Sequence, residues 1–162
     1  MVDNQQSIKT VNDLIKDIKV AMFTTISSDN KIISRPMQTQ EVEFDGELWF
    51  LTKKDTEKYQ EIASNPNVNL AYAGKSYVSI SGTAEFIEDM NKKKEYWNPI
   101  FDKVLDTSYD DPNVVLIKVD AESAEYWDSG NTLKSVKTLV KKLTNNETNK
   151  DEKEINDTVD FN

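Results

Sequence analysis

Of the 20 basic residues in this chain only one is an arginine, Arg35, in the run Ser34-Arg35-Pro36-Met37-Gln38. A guanidinium presents a planar fork of donors matched to phosphate or carboxylate, and a lysine does not copy that geometry. A chain that uses lysine everywhere else and arginine once marks a place where the fork is required. A second run, Trp49-Phe50-Leu51-Thr52-Lys53-Lys54-Asp55-Thr56-Glu57-Lys58, reads as a strand passing through a short loop into a helix start. Free N–H groups at a helix N-terminus, with the Thr56 hydroxyl and the Lys58 ammonium nearby, make a local anion site. Taken singly, the first feature is a surface arginine and the second a capped helix with solvated lysines. Taken together they specify two cationic groups closing on one phosphate, with each charge-assisted hydrogen bond contributing about 1.5–3 kcal/mol.

Composition removes most other chemistry. The sequence has no cysteine and no histidine. That excludes disulfides, thiol nucleophiles, Ser-His-Asp and Cys-His arrangements, and imidazole or thiolate ligation of zinc, haem or iron–sulfur clusters. No metal site is expected. Reactions must rest on carboxylates, lysine, hydroxyls or a borrowed cofactor. The formal charge of −9 is the opposite of a nucleic-acid or anionic-lipid footprint. Residues 145–162 hold six acids against two lysines, a net of −4, so the rest of the chain is only mildly acidic. Residues 1–18 lack the apolar stretch of a signal peptide, and no window is long and apolar enough for a membrane span. A cytoplasmic protein is expected.

The elements that must position these residues are legible as alternating runs. Apolar residues at helical spacing give an opening helix over 8–19. Strands follow at 20–27, 31–44 and 47–52, the last two joined at Asp45-Gly46, a strong hairpin signal. This hairpin is expected to make the Arg35 and Trp49–Lys58 segments neighbours. A short helix at 55–64, capped by Asp55 or Thr56, stops at Asn65-Pro66. Strands at 68–73 and 77–87 follow, the second crossing Gly82, where a bulge is the usual reason for a strand glycine. A helix over 89–105, one strand or a pair within 114–127, and a last helix over 133–143 complete the reading. Pro36 cannot donate to a ladder, so its strand belongs at an edge, where backbone is free to meet a ligand. About six short strands with peripheral helices argue for an antiparallel barrel in one domain, residues 1–144. Residues 145–162 read as a disordered acidic tail, because Ile155, Val159 and Phe161 are too few apolar side chains to order it. The competing idea is that Val159 and Phe161 anchor on a partner subunit.

The blocks SRPM, WFLTKKDTEKYQEIASNPNVNLAY, YVSISGTAEFIED, EYWNP and AEYWDSGN occur in that order across residues 8–130. They resemble the general stress protein branch of the pyridoxamine-5′-phosphate-oxidase-like FMN-binding split barrels. The resemblance implies a mainly β fold, a six-stranded antiparallel split barrel forming a homodimer with FMN at the subunit interface. It implies that Arg35 grips the FMN phosphate with Lys58 and the backbone of Thr56 and Glu57. Pro36, Met37 and Gln38 would line the isoalloxazine edge, and Leu51 and Thr52 would contact the flavin from the neighbouring strand. Trp127 and Trp97 would approach from the partner subunit, although core packing accounts for either. Pyridoxamine phosphate oxidases proper carry an arginine and a histidine shortly after their final tryptophan. Here Trp127-Asp128-Ser129-Gly130-Asn131-Thr132-Leu133-Lys134 has neither, which argues against that reaction. Haem-handling relatives are disfavoured by the missing histidine; deazaflavin users stay open, although their larger ligand normally wants more basic contacts than one arginine gives. The expected function is a flavin-dependent oxidoreductase of a small substrate, with NAD(P)H a candidate reductant. The alternative is a stress protein that stores or senses flavin without turnover. No general base near the ring is named, so no catalytic residue is assigned.

Overall fold

The computed structural model describes residues 4–128 and 155–161. Helix α1 (Asn4–Ile15) opens the chain and buries Val11, Leu14 and Ile15. It is followed by β1 (Val20–Ile26), β2 (Ile32–Gln38), β3 (Glu47–Lys53), α2 (Glu57–Ser64), β4 (Asn67–Ala73) and β5 (Ser76–Ile87). Two short helices, α3 (Met90–Tyr96) and α4 (Pro99–Val104), lead into the long β6 (Val114–Asp128), and β7 (Ile155–Asp160) comes last. The expected single helix over 89–105 is therefore two. Trp97 is extended, Asn98 caps α4 through its side chain, and Pro99 stands at the first helical position, where a missing N–H costs nothing.

The sheet is antiparallel, ordered β2-β1-β4-β5-β6-β3, with β7 also on β6. Among the described residues the sheet has seven strands, six of them on one path with β7 beside β6, and no ladder closes the expected six-stranded barrel, because β2 and β3 stand at opposite ends of the order. For the same reason Asp45-Gly46 is not the turn of a β2–β3 hairpin. Gly46 does adopt a positive φ of 111°, but its carbonyl accepts from Ala121 N–H, which ties the turn to β6. The sheet still rolls up, since Phe23 of β1 meets Phe50 of β3 edge to face at 5.2 Å. Around that pair lies the main core, with Leu70, Ile80, Ile117 and Val119 fully buried. A smaller cluster of Trp49, Leu51, Phe101, Val114 and Leu116 sits under α3 and α4.

The bulge expected at Gly82 is present, as the β5–β6 register shifts between Ser81 and Gly82. A Cβ there would lie 2.2 Å from the Asp120 carbonyl oxygen, so only glycine permits the approach.

The acidic tail is corrected in its last part. β7 pairs with residues 123–128 of β6, end to end with β3, which pairs with residues 114–120. Val159 is buried, and Phe161 packs edge to face on Phe44 at 5.7 Å. The anchor forms on the chain's own core. It covers a sheet edge that would otherwise present a row of unpaired N–H and C=O groups. The expected helix over 133–143, and residues 145–154, lie outside the described residues.

Candidate functional site

β2 is an edge strand, as its proline requires. Side chains alternate along it, so Arg35 and Met37 share one face while Ser34, Pro36 and Gln38 take the other. Arg35 stands opposite Phe23 in register and therefore points to the core side, under α2. Helix α2 starts where the sequence places it. Thr56 is the N-cap, accepting from Tyr59 N–H at 3.3 Å while its hydroxyl donates to the Lys53 carbonyl at 2.8 Å. The hydroxyl is committed to the cap. What α2 offers an anion is the first-turn N–H groups of Glu57 and Lys58, which a helix leaves without an internal acceptor.

Lys58 and Glu61 are three residues apart on α2, one turn on the same face. Glu61 is buried, and so is Thr25 of β1. Arg35 Nη1 donates to Thr25 Oγ1 at 2.6 Å and Nη2 to Glu61 Oε2 at 2.8 Å, and the Thr25 hydroxyl donates to the same Oε2. Burial alone would push the Glu61 carboxyl up. The Thr25 hydroxyl and the Arg35 guanidinium outweigh it and hold the group below the usual carboxylate value. The pair thus stays ionised, and it commits two of the five guanidinium N–H groups.

Lys58 is different. Its ammonium donates to Met37 Sδ at 2.9 Å, and no carboxylate pairs with it among the described residues. Burial, then the neighbouring Arg35 charge, push its pKa down to about 8, and Glu61 opposes this only in part. Two like charges drawn together at a helix N-terminus, one of them desolvated and lacking an anionic partner, are chemically able to receive an anion. This donor set fits a phosphate monoester.

The remaining candidate residues are placed as follows. Leu51 and Thr52 are buried on β3, just before the loop into α2. Gln38 is half-buried and Pro36 exposed, on the face away from Arg35. Trp97 lies between α3 and α4, donates from Nε1 to Asp102 Oδ1 at 2.9 Å and packs on Phe101. Trp127 pairs with Tyr77 and Asn156 near the far end of β6. It is on the order of 40 Å along the strand from Val114, the residue that pairs with Lys53 before α2. One chain therefore brings together Arg35, Met37, Thr56, Glu57 and Lys58, and leaves Trp127 apart. Thr25 and Glu61 are the members that sequence reading missed. The available signal was the Lys58–Glu61 spacing, which puts a carboxylate on the face of α2 that carries the ammonium. Among the described residues no group of acids is arranged to hold a metal ion, and no helix is long and apolar enough to cross a membrane.

Residues 6–150 match the family described as Pyridoxamine 5′-phosphate oxidase like. The chain belongs to that family. General stress protein 26 of Bacillus subtilis (strain 168) is 30% identical over 135 residues, covering 78% of this chain and 93% of that protein. Protein bli-3 of Neurospora crassa is 27% identical over 134 residues, covering 75% of this chain and 64% of that protein. The crystal structure of General Stress Protein 26 from Bacillus anthracis str. Sterne superposes with a TM-score of 0.65 at 27% identity. That match covers 76% of this chain and 94% of the other. As a pyridoxamine 5′-phosphate oxidase like protein, the chain has the whole Arg35–Lys58 cluster inside the matched range, whereas β7 lies beyond it.

Proposed function

We propose that the protein binds FMN, with the phosphate held by Arg35, Lys58 and the first-turn N–H groups of α2. The observation that carries this reading is the Lys58 ammonium, desolvated beside Arg35 with a thioether as its hydrogen-bond acceptor. A bound flavin supplies hydride chemistry, which lysines and carboxylates alone do not. This chain's residues bind and orient. The guanidinium and ammonium fix the phosphate end, and the free edge of β2 from Arg35 to Gln38 offers unpaired backbone groups to the polar rim of the ring. Met37, Leu51 and Thr52 form the wall between that edge and β3. The physiological reaction is read as oxidoreduction of a small substrate, with pyridoxamine phosphate disfavoured because the chain has no histidine.

The complete site is read as belonging to a homodimer. The outer face of β1, β2, β4 and the first half of β5 carries Val20, Met22, Thr24, Ser34, Pro36, Asn69, Ala71, Tyr77, Ser79 and Ser81 in adjacent register, with no charge before Glu85 near the end of β5. In a chain with 30% charged residues, an uncharged four-strand face with Ile32 78% and Tyr77 53% exposed favours contact with a second copy. Trp127 pairs directly with Tyr77 and so shares this face. Its distance from its own α2 favours a role at the partner's site.

The test is FMN uptake by the purified protein. FMN binding should be weakened far more by Arg35→Ala than by Lys53→Ala, since Lys53 lies outside the cation pair. Equal effects would remove Arg35 from the phosphate site. Stopped-flow reduction of the bound flavin by NADH and NADPH separates turnover from storage.

A further inference from the structure

We propose that Glu61 is the positioning residue of the anion site, holding Arg35 in the orientation that leaves its free N–H groups beside Lys58. The proposal rests on reading Arg35 and Lys58 as the phosphate site. Arg35, Thr25 and Glu61 form a closed ring of hydrogen bonds: guanidinium to hydroxyl, hydroxyl to carboxylate, guanidinium to the same carboxylate oxygen. Thr25 is fully buried, and the Glu61 side chain is 9% exposed, so the ring is fixed to the core rather than to the surface.

A positioning residue is needed for a specific electrostatic reason. Before an anion arrives, Lys58 repels the guanidinium, and an arginine side chain has the rotamer freedom with which to escape. Arg35 lies on an edge strand with its side chain 21% exposed, so an exit to solvent is open to it. The Glu61 carboxylate offsets the repulsion and pins one end of the fork. It carries a second consequence of opposite sign, because its negative charge weakens the site's attraction for a phosphate. If Glu61 were only a counter-charge, its removal would tighten phosphate binding. If it positions Arg35, removal weakens binding even though a negative charge has gone.

The chain's single arginine makes the test clean, since the guanidinium NMR signals need no assignment. In the wild type the Nη hydrogens should give resolved, slowly exchanging signals. In Glu61→Ala they should collapse to an averaged signal, and FMN affinity should fall at least tenfold while riboflavin affinity stays within about twofold. Glu61→Gln keeps an acceptor in place and should retain both the resolved signals and wild-type FMN affinity to within about threefold. Thr25→Val, which keeps the charge and the shape, covers the case of a Glu61→Ala protein that does not fold. It should weaken FMN about three- to tenfold and leave riboflavin alone. Unchanged or tighter FMN binding in Glu61→Ala and Thr25→Val, with a wild type that prefers FMN to riboflavin, overturns the positioning role alone. A wild type that takes riboflavin as well as FMN overturns the phosphate reading and this proposal with it.

Discussion

Replacing Lys58 by methionine should make the ligand-free protein more stable while damaging its binding. The ammonium's pKa falls from 10.5 to about 8 on folding. At 1.36 kcal/mol per unit, keeping this lysine charged in the folded state costs about 3 kcal/mol. Burial is the largest cause and the Arg35 charge the second, Glu61 opposing them in part, and methionine removes the charge on which both act. The pH dependence follows from the linkage. Below pH about 8 the lysine is charged in both folded and unfolded chains, so the wild type bears the full cost. Between about 8 and 10.5 the folded lysine is already neutral while the unfolded one is still charged, and wild-type stability rises with pH. Above 10.5 both are neutral and the cost is gone. Lys58→Met should therefore raise the melting temperature at pH 7 by about 6–12 °C, at 2–4 °C per kcal/mol for a domain of this size. The advantage should shrink steadily from pH 8 to pH 10. Denaturation of both proteins without flavin at pH 7, 8, 9 and 10 measures it. A variant less stable than wild type at pH 7, or a difference that does not change with pH, would refute the claim that Lys58 is held charged and unpaired. The same substitution should weaken FMN binding, because the cost is the desolvation of a group kept for a ligand.

Two further outcomes follow from the fold. Deleting residues 155–162 should cost about 3 kcal/mol by chemical denaturation, since it removes buried Val159 and the Phe161–Phe44 contact and exposes the edge of β6. An unchanged denaturation midpoint would show that β7 is not part of the stable unit. Placing a charge in the uncharged outer face, with Met22→Asp, should convert a dimer to a monomer by sedimentation and take FMN binding with it. A dimer that survives this change uses another face.

The sequence made the pieces of the candidate site legible because their signals are local. The chain's one arginine, the Thr56 cap and the helix start before Asn65-Pro66 each announce themselves within a few residues, and the edge position of β2 follows from Pro36 alone. What it hid were pairings across distance. Asp45-Gly46 carries good hairpin chemistry, yet the segment between β2 and β3 crosses from one end of the sheet to the other, and turn residues do not encode which strands pair. Arg35 and Lys58 meet through α2 packing on β1 rather than through a hairpin. Glu61 looked like an ordinary mid-helix acid until Thr25, 36 positions away, gave it a donor. In β7 Val159 and Phe161 stand two apart and so share one face, which is a strand pattern. Composition obscured it, since so few apolar side chains cannot order a free segment but suffice when β6 supplies a ready edge. Pro99 ended the long helix reading for the opposite reason: the break was local and was passed over.

The central claim is that Arg35 and Lys58 form a phosphate site for a flavin mononucleotide, and the most direct measurement compares FMN with riboflavin on the wild-type protein. The two ligands share the ring and differ in the phosphate. Two charge-assisted hydrogen bonds at about 1.5–3 kcal/mol each predict that FMN binds roughly a hundredfold or more tighter, by calorimetric or fluorescence titration at pH 7. Because the dianion stabilises the charged form of Lys58, the preference should fade as pH rises above about 8 when ligand is scarce. Riboflavin bound as tightly as FMN, or neither bound at all, would contradict the account.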